Sequence, residues 1–249
     1  MSEIKRNWRF AGGNMHELQL KIVSRIASRY HGRVSFSQCG EDMIVDFIFQ
    51  SLGVWPITYL DVGANRPREF NNTYYFYIRG CRGANVEPDP ALYEELVRSR
   101  PCDKNLRLGV AGKEEKGRPF FVMSTPTLNT FLESEARRYE ASGRHRILRV
   151  DPVDVVTLHT IFQSHFNNVA PDFISIDVEG LDLEIISSIN LDYYRPTVIC
   201  AETLSFSEDR SERKLSEISD LLCARGYRKY ADTYINTIFV DREKWVSRK

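Results

Sequence analysis

The sequence predicts an α/β domain built on a doubly wound, mostly parallel sheet. Two observations carry that expectation. Strand-like runs alternate with helix-like runs along most of the chain, which is the pattern of crossover connections. The middle strand-like runs, ITYL (57–60), FISI (173–176) and TVIC (197–200), are apolar on both faces, as strands covered by helices on two sides must be. A third observation concerns function: acids stand where these runs end. In such sheets ligands bind beyond the carboxyl ends of the strands.

The elements follow in order. HELQLKIVSRIASRY (16–30) places Leu18, Ile22, Val23, Ile26, Ala27 and Tyr30 on one helical face. A second helix covers 41–52, stopped by Gly53 and Pro56. A strand is expected over 57–63, a helix over 71–79, a short strand within 83–90, and a helix over 91–100 after Pro90. The reading continues with a strand at 106–112, a charged turn at 112–118, a strand at 119–123 and an extended run at 147–157. A short helix at 157–166 precedes the strand that ends in DFISIDVEG, and a helix at 181–189 precedes a strand at 197–203. A long helix at 208–225, ended by Gly226, leads to two strands joined by a turn, an antiparallel edge. This divides the chain into an N-terminal helical extension, 1–35, and one domain, 36–249.

The bulk properties narrow the function. The 249 residues are 42% apolar, and 34 basic residues balance 34 acidic ones. A neutral chain gives no electrostatic reason for a nucleic-acid or membrane-surface partner. Five scattered cysteines, without a C-x-x-C pair, give neither a zinc site nor a disulfide framework. No apolar run approaches the roughly 20 residues of a membrane span. A cytoplasmic location is the expectation.

The first strand ends in YLDVGANRP, with Asp61 followed by Gly63 and Ala64, small residues that let a ligand approach the backbone. Glu87 ends the next strand, where a carboxylate can accept both hydroxyls of a ribose. Together they point to a nucleoside cofactor. A dinucleotide needs G-x-G-x-x-G for its pyrophosphate, and the turn here, Gly63-Ala64-Asn65-Arg66-Pro67-Arg68, carries one glycine of the three. S-adenosylmethionine has no pyrophosphate, and its ammonium group suits an acid such as Asp61. It is favoured over NAD.

The segments SQCGED (37–42), YLDVGANRP (59–67), NNTYYFY (71–77), GCRGANVEPDP (80–90), DFISIDVEGLDLEII (172–186) and VICAE (198–202) resemble, in order, the FkbM family of S-adenosylmethionine-dependent methyltransferases. The resemblance implies the class I methyltransferase fold, Rossmann-like, with an antiparallel C-terminal edge. It also implies O-methylation of a hydroxyl, often on a sugar or a polyketide-type product. On the matching positions it implies that Asp61, Gly63 and Asn65 form the cofactor loop and that Glu87 binds the ribose. Gln38, Glu41 and Asp42 match a motif without an assigned role. Arg66 departs from the family, where His is common.

Asn72 and Thr73 open the next helix and are read as meeting the methionyl carboxylate, with simple capping as the alternative. A hydroxyl is a poor nucleophile, so a base should take its proton. Asp177 or Glu179 is the expected base, Asp177 also adjoining the cofactor, with Glu202 as a supporting acid. If 177–179 stay extended, Asp177 and Glu179 share a side. Three converging acids could also hold Mg²⁺; a metal is not favoured, because the oxygen ligands lack a distinctive spacing. Asp182 and Glu184 are assigned to the positive end of their helix.

The insertion between the third and fourth core strands is a candidate lid, with His145 inside it. The plainer reading of this segment, an exposed helix and loop with a solvated basic face, is preferred to any single assignment; if the acceptor carries phosphate, Arg137, Arg138, Arg144 and Arg146 are its natural contacts. The aromatic run Tyr74–Tyr77 reads as core. The expected protein is an O-methyltransferase for a small-molecule or glycan acceptor. The alternatives are a non-sugar or nitrogen acceptor, or a cofactor-binding protein without catalysis.

Overall fold

The computed structural model describes Arg29 and residues 32–204 and 212–248. The helix expected over 16–30 lies outside the described residues. Contacts divide the chain into 1–35 and 36–249, and the second unit carries all that follows.

Its elements are α1 (Glu41–Leu52), β1 (Thr58–Val62), α2 (Tyr74–Ile78), β2 (Arg82–Val86), α3 (Pro90–Ser99), β3 (Lys104–Leu106), β4 (Gly109–Val110), β5 (Glu115–Met123), α4 (Glu133–Ala141) and β6 (Ile147–Val156). Then follow α5 (Leu158–His165), β7 (Phe173–Ile176), α6 (Asp182–Ser188), β8 (Val198–Glu202), α7 (Glu217–Ala224), β9 (Tyr227–Asp232), β10 (Asn236–Asp241) and α8 (Arg242–Val246).

Seven strands form one sheet in the order β3-β2-β1-β7-β8-β10-β9. The first five are parallel, and β10 runs antiparallel to both β8 and β9. The fold is therefore the mostly parallel α/β sheet with an antiparallel C-terminal hairpin that the sequence predicts. The inverted strand is β10, one place in from the edge strand β9.

Strand alternation divides the core in two. Leu60, Val62, Ile174, Ile176, Ile199 and Ala201 face one way, against α5, α6, α7 and the second sheet. Tyr59, Phe173, Val198, Cys200, Ile238 and Val240 face the other way, against α1, α2 and α8. The same alternation puts Asp61, Ser175, Cys200 and, one row further along, Glu202 and Asn236 on the α1 side.

Four boundaries differ from the sequence reading. The strand expected at 106–112 is two strands. β3 ends at Leu106 in the main sheet, while Gly109–Val110 leaves it and pairs with β6. The charged turn at 112–118 ends early, because Glu115–Arg118 already belongs to β5, which joins β4 and β6 in a three-stranded sheet. The first half of β5 is largely exposed, which is why its charges read as a turn. The long helix at 208–225 begins only at Glu217; part of its span, 208–211, lies outside the described residues, and Leu204 bridges Lys214 instead. The short α8, which buries Trp245, was not expected.

Candidate active site

A cleft of about 530 Å³ opens at the carboxyl ends of β1, β2, β7 and β8. Its floor is the turn after β1. Gly63 is in the left-handed region, at φ +78°, and a Cβ there would lie 1.9 Å from the Asp177 carbonyl oxygen. Only glycine fits that approach. The Gly63 and Ala64 amides both donate to the Val86 carbonyl, and the Asp177 amide donates to Val62. The three strand ends are thereby locked side by side.

Glu87 is buried at the end of β2. Its Oε2 accepts the Asn65 amide at 2.8 Å and its Oε1 accepts the Asp89 amide at 2.9 Å. Asn65 itself is left-handed, at φ +47°, and its side chain donates to the Pro126 carbonyl. Burial pushes the Glu87 carboxyl up to about 7, against the two amide bonds that pull it down.

Asp61 is buried beside it. Its Oδ2 accepts Asn71 Nδ2 at 3.0 Å and the Thr73 hydroxyl at 2.7 Å, and Arg100 Nη1 lies 3.9 Å away. Burial raises the Asp61 carboxyl, and Arg100 and the two hydrogen bonds oppose that rise. Arg100 is fully buried; it donates to Asn71, to Thr73 and, through Nε at 2.9 Å, to Asp103. The sequence offered no sign of this arginine, which sits at the end of a helix and reads there as an ordinary surface cation.

Asn72 and Thr73 separate. The amides of Thr73 and Tyr74 donate to Asn71 Oδ1, so the helix start is capped by a side chain and offers those donors to no anion. Thr73 is buried behind Asp61 and does not line the cleft. Asn72 does line it. Its Nδ2 donates to Ser175 at 3.0 Å, while its Oδ1 is buried without a partner. The unpaired group of Asn72 is thus an acceptor oxygen.

Asp177, Glu179 and Glu202 come together: one oxygen from each lies within 4.8 Å of the others. The route differs from the extended one. β7 stops at Ile176, and Glu179 is left-handed, at φ +53°, followed by Gly180 at φ +108°. That turn, and not strand alternation, swings Glu179 toward Asp177. Tyr139 of α4 donates to Glu179 Oε2 at 2.9 Å, and Thr130 donates to the Glu179 carbonyl at 3.0 Å. The insertion therefore holds the acid from above, by contacts that strand and helix patterns do not reveal.

The electrostatics follow from crowding. Burial, then Asp182 and Asp61, push the Asp177 carboxyl up to about 7. Burial and Asp177 hold Glu179 well above the usual carboxylate range, with the Tyr139 bond opposing. Burial, Asp177 and Glu179 do the same to Glu202. Asp182 starts α6 as expected, yet it is buried, and burial lifts it to about 6. It therefore belongs electrostatically to the cluster. Glu184 instead accepts the Gly112 amide at 2.9 Å.

The remaining candidates are structural or peripheral. Glu41 is buried and accepts from Cys39, Thr233 and Asn236, tying α1 to the β9–β10 hairpin. Burial raises its carboxyl, but those bonds outweigh the rise and hold it low. Asp42 accepts from Phe36 and Ser37, and Gln38 lines the cleft. In the insertion, Arg137 pairs with Glu133 and Glu140, and Arg138 with Glu135. His145 meets Thr125. None of these three residues, nor Arg144 or Arg146, lines the cleft. Tyr74, Tyr75 and Phe76 are core.

The FkbM methyltransferase domain model matches residues 61–229. The chain belongs to the FkbM family. It is an S-adenosylmethionine-dependent methyltransferase. No curated protein matches it. Among solved structures, it is similar to 1,6-didemethyltoxoflavin-N1-methyltransferase of Burkholderia thailandensis, solved with 1,6-didemethyltoxoflavin and S-adenosylhomocysteine. The identity is 12%, over 94% of this chain and 91% of that one, with a TM-score of 0.40. It is also similar to a TehB-like S-adenosylmethionine-dependent methyltransferase of Corynebacterium glutamicum, at 10% identity, over 91% and 98% of the two chains, with a TM-score of 0.42. Among the described residues of this FkbM-family chain, no helix is long and apolar enough to cross a membrane.

Proposed function

We propose that this methyltransferase acts on a hydroxyl oxygen of a sugar or glycan, in polysaccharide or glycolipid assembly. The observation that carries the reading is the convergence of Asp177, Glu179 and Glu202 in the cleft that also contains Glu87 and Asp61. An alcohol must lose its proton as it is methylated, and a carboxylate within reach supplies the base. The donor, when bound, supplies an electrophilic methyl group. The chain's own task is then alignment and proton removal.

The cleft fits such a donor. Each Glu87 oxygen already accepts one amide and has a lone pair left for a ribose hydroxyl. The unpartnered Asn72 Oδ1 and the Asp61 carboxylate suit the methionyl ammonium. Gly63 and Asn65 shape the loop between them, and Thr73 acts through Asp61. Asp177, at the head of the central strand, is the base nearest this end, with Glu179 and Glu202 beside it. A neutral acceptor is favoured, since Arg66 is the single arginine or lysine along the described lining and lies 3.5 Å from Glu69.

The test has two parts. S-adenosylhomocysteine should raise the melting temperature and NAD should not; stabilisation by NAD alone would sink the reading. Asp177→Asn should bind S-adenosylhomocysteine as the wild type does, yet transfer labelled methyl to a glycan extract at least about a hundredfold more slowly. Full transfer in that variant removes Asp177 as the base. Label recovered as N-methyl instead of O-methyl overturns the hydroxyl acceptor.

A further inference from the structure

Both side-chain hydrogen bonds to Asp61 fall on one oxygen. Oδ2 accepts Asn71 Nδ2 at 3.0 Å and the Thr73 hydroxyl at 2.7 Å. Oδ1 accepts from no described residue, and Asp61 lines the cleft. The two donors on Oδ2 are themselves held from behind. Arg100, just after α3, donates through Nη1 to Asn71 Oδ1 at 3.1 Å and through Nη2 to the Thr73 oxygen at 2.9 Å. A guanidinium only donates. The first bond therefore sets the Asn71 amide, with its oxygen toward Arg100 and the Thr73 and Tyr74 amides. Its Nδ2 is left for Asp61 and for the Ala64 and Arg66 carbonyls of the loop after β1. The second bond fills a lone pair of the Thr73 oxygen and leaves its one proton to donate. Asn71 Oδ1 lies 3.0 Å from that hydroxyl but already takes Arg100 and two amides, so Asp61 is the better acceptor. Arg100 Nε donates to Asp103, its close counter-ion, at 2.9 Å, while Nη1 stays 3.9 Å from Asp61. Asp61 thus receives oriented donors from the fully buried arginine and keeps its own charge for a ligand.

We propose that Arg100 is a positioning residue for the methyl donor: through Asn71 and Thr73 it fixes Asp61 by Oδ2, so that Oδ1 remains for the methionyl ammonium. The proposal rests on the reading of Asp61 as the partner of that ammonium. It accounts for an arginine that touches no cleft group directly yet is buried behind one. The rigid fork matters as much as the charge. A lysine at this position carries a point charge and cannot reach Asn71, Thr73 and Asp103 in one plane.

Titration calorimetry of the full chain with two probes tests this. One is S-adenosylhomocysteine. The other is 5′-methylthioadenosine, which keeps the adenine, ribose and thioether but has no amino-acid end. The wild type should prefer S-adenosylhomocysteine, and Asp61→Asn should lose at least about tenfold of that preference. Arg100→Lys and Thr73→Val should each lose at least about tenfold as well, with 5′-methylthioadenosine affinity unchanged, which also shows that the variants fold. Thr73→Ser keeps the hydroxyl and should keep the preference. Thr73→Val leaves the pair of Arg100 and Asp103 in place, so it decides the matter if Arg100→Lys does not fold. Both probes weakened together in Thr73→Val overturns the proposal, because a structural role moves both alike. A preference kept in Thr73→Val, or in folded Arg100→Lys, when Asp61→Asn has lost it overturns it too. A preference kept in Asp61→Asn, or no S-adenosylhomocysteine binding to the wild type, removes the donor reading of Asp61 itself and the relay with it.

Discussion

Replacing Glu87 by glutamine should stabilise the ligand-free protein at alkaline pH, relative to acid, while weakening the donor. Burial raises this carboxyl from its ordinary 4.5 to about 7. The folded chain therefore keeps a proton that the unfolded chain releases above 4.5. The stability tied to that proton is intact below about 4.5, declines as pH rises, and is fully lost above about 7. At about 1.4 kcal/mol per pH unit, the full loss is about 3.5 kcal/mol. Glutamine does not ionise and escapes it. It does leave one of the Asn65 and Asp89 amides poorly paired, a cost of about 1–3 kcal/mol that does not change with pH. The difference between variant and wild type should thus move in favour of glutamine by about 2–3 kcal/mol between pH 5 and pH 8, whatever its value at either end.

Urea unfolding of both proteins at four pH values reads that slope, since titrating groups away from Glu87 cancel in the difference, and its neighbours Asp61 and Asp89 add only a smaller change. Titration calorimetry with S-adenosylhomocysteine reads the other half. Two ribose hydroxyls that lose a charged acceptor should weaken binding by at least about tenfold. In the wild type, affinity should climb as pH rises toward about 7 and then level off, because the ionised carboxylate is the acceptor. A stability difference flat with pH would refute the electrostatic argument. Unchanged affinity would refute the ribose role.

Two further outcomes concern the frame around the site. Arg100→Met leaves Asp103 and Asp61 buried without their cation and should cost about 3–5 kcal/mol in urea unfolding, far more than loss of an exposed arginine. Gly63→Ala and Gly80→Ala both put a side chain at positive φ, but only the first drives Cβ to 1.9 Å from a backbone oxygen, while the second meets nothing within 4 Å. Thermal melts should show about 1–2 kcal/mol lost for Gly80→Ala and a much larger loss, or no folded protein, for Gly63→Ala.

What the sequence carried and what it did not divide along a physical line. The central strands were legible because each is apolar on both faces, and the acids that end them were legible because a carboxylate after such a run has few structural reasons to be there. Asp61, Glu87, Asp177 and Glu202 are of this kind, each in line with its own strand. The contacts that hold them are not. Arg100 reaches Asp61 through Asn71 and Thr73, Tyr139 reaches Glu179 across 40 residues of chain, and Glu41 orients Asn236 across 195. Periodicity describes one segment at a time, so it places the acids and is silent on their partners. Glu179 shows the cost of that silence: alternation brought it to Asp177 by the wrong route, because a left-handed residue breaks the strand where the functional turn begins. No spacing along the chain announces that Asp177, Glu179 and Glu202 converge, since three different positions of two adjacent strand ends supply them.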